Sequence, residues 1–414
     1  MKKYLYVLVG IFTLLAFYKC SNEKEEIVKA DNVDGLNENL SGEDKAWALV
    51  KKFAEKVNEK NSRSFDFSSY KVKKVEKDTI NLDFLNQQFN LSRATGMDSI
   101  STDVEICKFT IEKDGIQGFA IATSDERIDR VLALVDDGCL ADTAEILGMA
   151  YMVQGFKYVL AEELLKYSEK GTSRASREFG QEWTLGPCIK TKWNTNAPYN
   201  NSYDGSGCPG NGKYPASTTA VAFAQCVANY PADYDFPAKV LQMYNLREFV
   251  KQEQVSVGSS IAAQISSFIK SFEVKAKYDC SGTSTEFNAI NTLYNLGFEG
   301  GKYNFQKSDK IDVKGVFKSL RFDCPTIVGT MDRNFAMWQS WILDGFWGMA
   351  TPSLSTIEVT GYHINFCRGG KNDGWWASAT NPTTSAGVPL FPSGHDYFIR
   401  TITFLPVCPW CIME

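Results

Sequence analysis

The stretch PASTTAVAFAQ, residues 215–225, decides how the rest of the chain is read. Pro215 and Ser217 are residue types that open and cap a helix, and the small residues from Ala220 onward continue it. A helix begun this way points the positive end of its dipole at Thr218. Cys226 follows eight residues after Thr218, about two turns down the same helix, where it is expected to sit deep in the core. The stretch therefore predicts a buried helix with a hydroxyl, not a thiol, at its amino terminus.

Downstream of Pro187 the chain is rich in Trp, Tyr, Gly and short β-branched runs, as a second domain would be. Upstream, Ser41 is placed to cap a helix whose Ala46, Trp47, Leu49, Val50, Phe53, Ala54 and Val57 fall on one face. Cys107, Phe109 and Ile111 alternate with Lys108 and Thr110. After an Asp114-Gly115 turn, Phe119, Ile121 and Thr123 continue, which predicts a hairpin for that helix to pack on. Residues 140–168 carry the apolar spacing of one or two further helices. Between Ser168 and Glu182 the segment Lys170 to Arg177 lacks periodicity and offers basic residues, as a protease-sensitive linker does. The expected division is a signal over 1–20, a charged linker over 21–42, a compact α+β unit over 43–168, a second linker over 169–185 and a larger domain over 186–414.

The 414 residues are 44% hydrophobic and 22% charged, the balance of a soluble globular protein. The formal net charge of -5 leaves no basic surplus for a phosphate backbone, so nucleic acid is not an expected partner. His363 and His395 are the only histidines, which excludes multi-histidine metal sites, and no Gly-rich phosphate loop follows a strand. No metal and no cofactor is expected. Lys2 and Lys3 precede an apolar run from Tyr4 to Phe17 that is too short to span a bilayer comfortably, and polar sequence follows Cys20. This reads as a secretory signal. Apart from Cys20, ten cysteines remain, an even number in a chain expected to be exported, where disulfides are allowed. Cys408 and Cys411 form a C-P-W-C sequence at the end of the chain, without the strand-to-helix context of a redox motif.

Several blocks resemble known families. Cys20 directly after the apolar run, followed by Ser21, Asn22, Glu23, Lys24, Glu25 and Glu26, resembles the lipoprotein signal and acidic export tag of Bacteroidetes surface lipoproteins. Cys20 would then be acylated, with the outer membrane as a partner through the lipid. Lys19 departs from that pattern, which has a small residue before the Cys. Lys192 to Asn201 with Cys208 and Pro209, the 215–225 helix, Tyr278 to Gly297, Ser319 to Thr330, Trp338 to Gly345 and Tyr362 to Trp376 resemble, in order, blocks of the streptopain-family peptidase domain. Gly118 to Arg127 (GFAIATSDER) resembles the signature of that family's inhibitory Spi-type pro-domain. The resemblance implies an α+β chain: a papain-like cysteine-peptidase fold preceded by a small Spi-like unit.

The resemblance also shows where the chemistry departs. A papain-like peptidase needs a thiolate at a helix amino terminus, a paired His, a group orienting that His and an oxyanion donor. The family's Cys falls on Thr218, its His on Gln339 and its oxyanion Gln on Thr195, while the orienting Asn is retained as Asn365. A Thr hydroxyl does not ionise near neutral pH, and Gln cannot act as a base. His363 holds the family's non-catalytic His place and is expected to be structural.

Three functions are therefore open. The first is a surface-anchored pseudopeptidase that binds a polypeptide or another surface ligand through the former groove. Trp338, Trp341, Phe346, Trp347, Trp375 and Trp376 supply aromatic side chains near that groove, several of them expected as core rather than surface. The second is an active cysteine endopeptidase, made as a zymogen, in which Cys208 or Cys226 acts with His363 or His395. The third is an inhibitor or decoy whose Spi-like unit acts on a partner peptidase.

Overall fold

The computed structural model describes residues 42–59, 69–85, 101–170, 181–203, 212–230, 246–251, 253–273, 303–308, 310–332, 338–351, 354–378 and 397–406. The expected signal with Cys20, the Ser41 cap, linker residues 171–180, Cys208, the 278–297 block, His395 and the C-P-W-C sequence lie outside them.

Six helices and eleven strands are described. The helices are α1 (Gly42–Glu59), α2 (Leu147–Lys170), α3 (Thr218–Ala228), α4 (Leu246–Lys251), α5 (Ser260–Ser271) and α6 (Val313–Leu320), with a 3-10 turn over Leu140–Ala144 before α2. The strands are β1 (Lys71–Asn81), β2 (Asp103–Lys113), β3 (Ile116–Thr123), β4 (Val131–Val135), β5 (Gln181–Leu185), β6 (Tyr303–Ser308), β7 (Thr326–Asp332), β8 (Trp338–Ala350), β9 (Ile357–Asn365), β10 (Gly374–Ala377) and β11 (Tyr397–Pro406). They form one sheet in the order β1-β2-β3-β4-β10-β9-β8-β7-β11-β6, with β5 paired to β8. The described strand pairs are antiparallel, so the chain is α+β.

The hairpin expected around Asp114-Gly115 forms between β2 and β3, and both turn residues take positive φ (53° and 80°), as a two-residue hairpin turn requires. Cys107, Phe109 and Ile111 face α1, which buries Ala46, Val50, Phe53, Ala54 and Val57 against them. The alternate residues Val104, Ile106, Phe119 and Ile121 face the core under α2. This two-sided burial follows from the period of two along a strand.

The sheet does not stop where the first expected unit ends. β4 pairs with β10 through Val135↔Gly374, Leu134↔Trp375 and Ala133↔Trp376, so the two halves of the chain share one ladder. Gly374 suits this seam because an added Cβ would lie 2.4 Å from the carbonyl oxygen of Leu134. Trp375 turns to the α1 face, edge-on to Phe53, and Trp376 turns to the opposite face, stacked on Phe156 of α2. Arg130 adds a bond across the junction, its Nη2 donating to the carbonyl of Thr360 at 2.7 Å. Residues 181–185, read from the sequence as the end of a linker, form β5 on the edge of β8.

The same step places the aromatic residues expected near the groove or in the core. Trp341, Phe346, Trp375 and Trp376 are buried, and Trp347 is half-buried against Phe53. Large apolar side chains on a central two-faced strand lose most of their water when helices cover both faces, so these rings form core and not groove surface. The side chain of Trp338 lies outside the description.

Candidate functional site

β8 is the strand from which the site is built. Gln339, Trp341 and Leu343 alternate with Ser340 and Ile342, and the two sets face different helices. Ser340 and Ile342 face α3, while Trp341 and Leu343 enter the core under α2.

On the α3 side the predicted helix start is present. Ser217 Oγ accepts from the N–H of Ala220 at 3.1 Å and caps α3. Thr218 is its first residue, buried, with Oγ1 accepting from the N–H of Ser340 at 3.0 Å. The Thr219 and Ser340 hydroxyls lie 2.8 Å apart. All eleven residues of α3 are buried, which their small size allows. Thr195 is 2% exposed. Its N–H donates to Asn194 Oδ1 at 2.6 Å, and its carbonyl accepts from the N–H of Ala216 at 2.7 Å, which ties it to the approach to α3.

On the other face, Gln339 is bonded to the turn that opens α2. Its Oε1 accepts from the N–H of Leu147 and its Nε2 donates to the carbonyl of Glu145, both at 3.0 Å. Gly148, one residue further, lets that turn rest on aromatic rings, since a Cβ there would come within 2.8 Å of both Trp341 and Phe366. Thr218 and Gln339, the expected nucleophile and base positions, thus lie on opposite faces of β8 and bond to different elements. The segment Glu145–Gly148 covers Gln339.

Asn365 is 4% exposed and is bonded away from Gln339. Its Oδ1 accepts from the N–H of Cys367 at 2.8 Å and from Gln225 Nε2 at 3.3 Å, and its Nδ2 donates to the carbonyl of Thr191 at 3.4 Å. Gln225 is the hub here: its Oε1 accepts from the Thr191 hydroxyl at 3.0 Å and from the N–H of Trp193 at 3.1 Å. The sequence reading used Gln225 only as the end of a motif. A Gln in a helix otherwise made of small and apolar residues was the available signal, because a buried amide must find several partners.

Cys226 is buried, as expected. Burial pushes its thiol well above the ordinary value, and nearby Cys367, Asp344 and Cys324 push it further. Burial does the same to Cys188 and Cys367 and lifts Cys324 to about 12. These sulfurs are held as thiols, which are poor nucleophiles. His363 is on β9 with Nδ1 2.7 Å from Asp344 Oδ1 and its ring edge-on to Trp375. Burial alone would lower its pKa, but the charge and hydrogen bond of Asp344 outweigh that and raise it, which favours the charged pair. The expectation of a structural His fits this placement. Among the described residues no three His, Cys, Asp or Glu side chains gather to hold a metal ion.

The sequence reading also missed two acids. Asp136, just past β4, and Asp373, just before β10, are each raised to about 7, first by burial. Asp373 Oδ1 accepts from the N–H of Phe366 at 2.8 Å. Only the tertiary pairing of β4 with β10 brings them to one place, so no local signal marked them.

No family model and no curated protein matches the chain. Among solved structures, a mutant fragment of Prevotella intermedia prointerpain A is similar with a TM-score of 0.43 and 14% identity, over 72% of this chain and 94% of that one. The active wild-type Prevotella intermedia interpain A cysteine protease is similar with a TM-score of 0.35 and 12% identity, over 53% of this chain and 94% of that one.

Proposed function

We propose that this chain is a pseudopeptidase: a papain-like chain with a Spi-like amino-terminal unit, tethered to the cell surface through Cys20, that binds a polypeptide or another surface ligand and does not cleave it. One observation carries the loss of catalysis. The positions that resemble nucleophile and base hold Thr218 and Gln339, on opposite faces of β8, and each side chain is committed to backbone hydrogen bonds. Amide transfer by this route needs a thiolate and an imidazole within hydrogen-bond reach of one another, and neither group is there. The buried thiols and the His363–Asp344 pair give the displaced-dyad reading no support among the described residues.

The test is hydrolysis of denatured casein by the purified chain under reducing conditions, before and after tryptic nicking, with a thiol-reactive inhibitor as control. The expected result is no hydrolysis in any arm. Hydrolysis abolished by the inhibitor would overturn the reading in favour of a zymogen. Tethering is checked separately by metabolic labelling with a palmitate analogue, which Cys20→Ser is expected to abolish.

A further inference from the structure

The two halves of the chain meet across more than the β4–β10 ladder. Gln339 and Asn372 belong to the second half, and both commit their side-chain amides to the first. Gln339 bonds the N–H of Leu147 with one end of its amide and the carbonyl of Glu145 with the other. Asn372 is fully buried; its Oδ1 accepts from the N–H of Cys139 at 2.9 Å and its Nδ2 donates to Asp142 Oδ2 at 2.8 Å. Its backbone N–H donates to the carbonyl of Asp137. Gly138 makes room for this amide, since a Cβ there would fall 2.1 Å from Asn372 Oδ1. In the other direction, Arg130 reaches the carbonyl of Thr360, and Lys166 of α2 reaches Glu358 Oε1 at 2.5 Å.

Between these polar anchors the contact is apolar. Phe119 and Phe156 of the first half share one core with Trp341, Phe366 and Trp376 of the second. On the opposite face Phe53 of α1 lies with its ring centroid 4.6 Å from that of Trp347. All four residues of β10 are buried. Without the first half, β10 would become an edge strand with Trp375 and Trp376 uncovered, and two buried amides would lose their partners. Domains that separate readily meet through modest, polar interfaces, whereas here a sheet and a core are held in common.

We infer that residues 42–170 are a permanent subunit of the fold and not a releasable pro-segment: the face of the second half that carries Gln339, Asn372 and β10 is a binding surface whose partner is the chain's own first half. A cut in the 171–180 segment then leaves a two-fragment complex. Inhibition of a partner peptidase by a free Spi-like unit requires that unit to leave, and this surface retains it. The inference does not depend on whether the chain cleaves peptides, so fragment release and casein hydrolysis are separate readouts.

The experiment uses the full chain with a specific protease site inserted after Arg174, cut after folding. Trp47 is the one tryptophan of nine that precedes the cut, so tryptophan fluorescence reports chiefly on the second fragment. Urea is raised while gel filtration follows fragment separation and fluorescence follows unfolding. The expected result is that the fragments co-elute without urea and that the two midpoints coincide within about 0.3 M. Asn372→Gly, which removes the amide and suits the positive φ of 64° at this position, is expected to lower both midpoints together. Release of the first fragment while the second keeps its native fluorescence, in either protein, would overturn the inference. Unmoved midpoints in the variant would overturn the part that rests on Asn372. Should the variant not fold, the cut wild type decides alone.

Discussion

The two ends of α3 place complementary halves of a thiol chemistry where neither can use the other. At the amino end, just after the Ser217 cap, the helix dipole and the N–H of Ser340 converge on Thr218, an environment that would stabilise a thiolate, but the residue is an alcohol. At the carboxyl end there is sulfur, in Cys226 and neighbouring Cys367, but the dipole has the wrong sign and burial holds the sulfurs protonated. Reactivity needs the residue and its field together, and here they are separated along one helix.

Four measurements break or sharpen this comparison. The largest effect belongs to the carboxyl end. Gln225→Leu leaves the Thr191 hydroxyl, the N–H of Trp193 and Asn365 Oδ1 short of a partner, and is expected to cost about 4 kcal/mol in urea unfolding. A loss under about 1 kcal/mol would mean the hub is replaceable by water. Next, Gln339→Leu strips the Glu145 carbonyl and the Leu147 N–H of their buried partner and is expected to cost about 3 kcal/mol, with faster exchange at the start of α2.

Smaller still, Thr218→Val removes the acceptor for the N–H of Ser340 while keeping the shape, for about 2 kcal/mol. The last test changes chemistry more than stability. The thiol introduced by Thr218→Cys is expected to ionise below the ordinary thiol value, while Cys226 stays protonated, read by ultraviolet thiolate absorbance against pH. Adding Gln339→His to that variant is expected to leave casein uncut, because β8 stands between the two side chains. Cleavage by that double variant would show that the two positions can still meet.

Much of the local structure was visible in the chain. The Asp114-Gly115 hairpin, the apolar face of α1, the Ser217-capped helix and the burial of Cys226 all rest on interactions within a few residues, where periodicity and capping rules act. Whether the aromatic residues of β8 and β10 line a groove or form core stays open in the sequence, which shows that a ring is large, not which face it occupies. Trp375 and Trp376 are adjacent in the chain and go to opposite cores. Gln225, Asn365 and the His363–Asp344 pair needed partners drawn from segments more than a hundred residues apart or from neighbouring strands.

What the sequence determined by itself is the identity of the groups available: a hydroxyl at a helix start, an amide where a base would stand, two histidines and a chain of α+β character. A side chain's proton chemistry begins with its type, and no fold turns Gln339 into a base. What only the tertiary structure decided is which of these groups share an environment. The pairing of β4 with β10 made one sheet of two expected units and set Asp136 against Asp373, and β8 put Thr218 and Gln339 on opposite sides. Such placements depend on strand register and on the face a residue takes, which a shift of one residue reverses and which long-range contacts alone select.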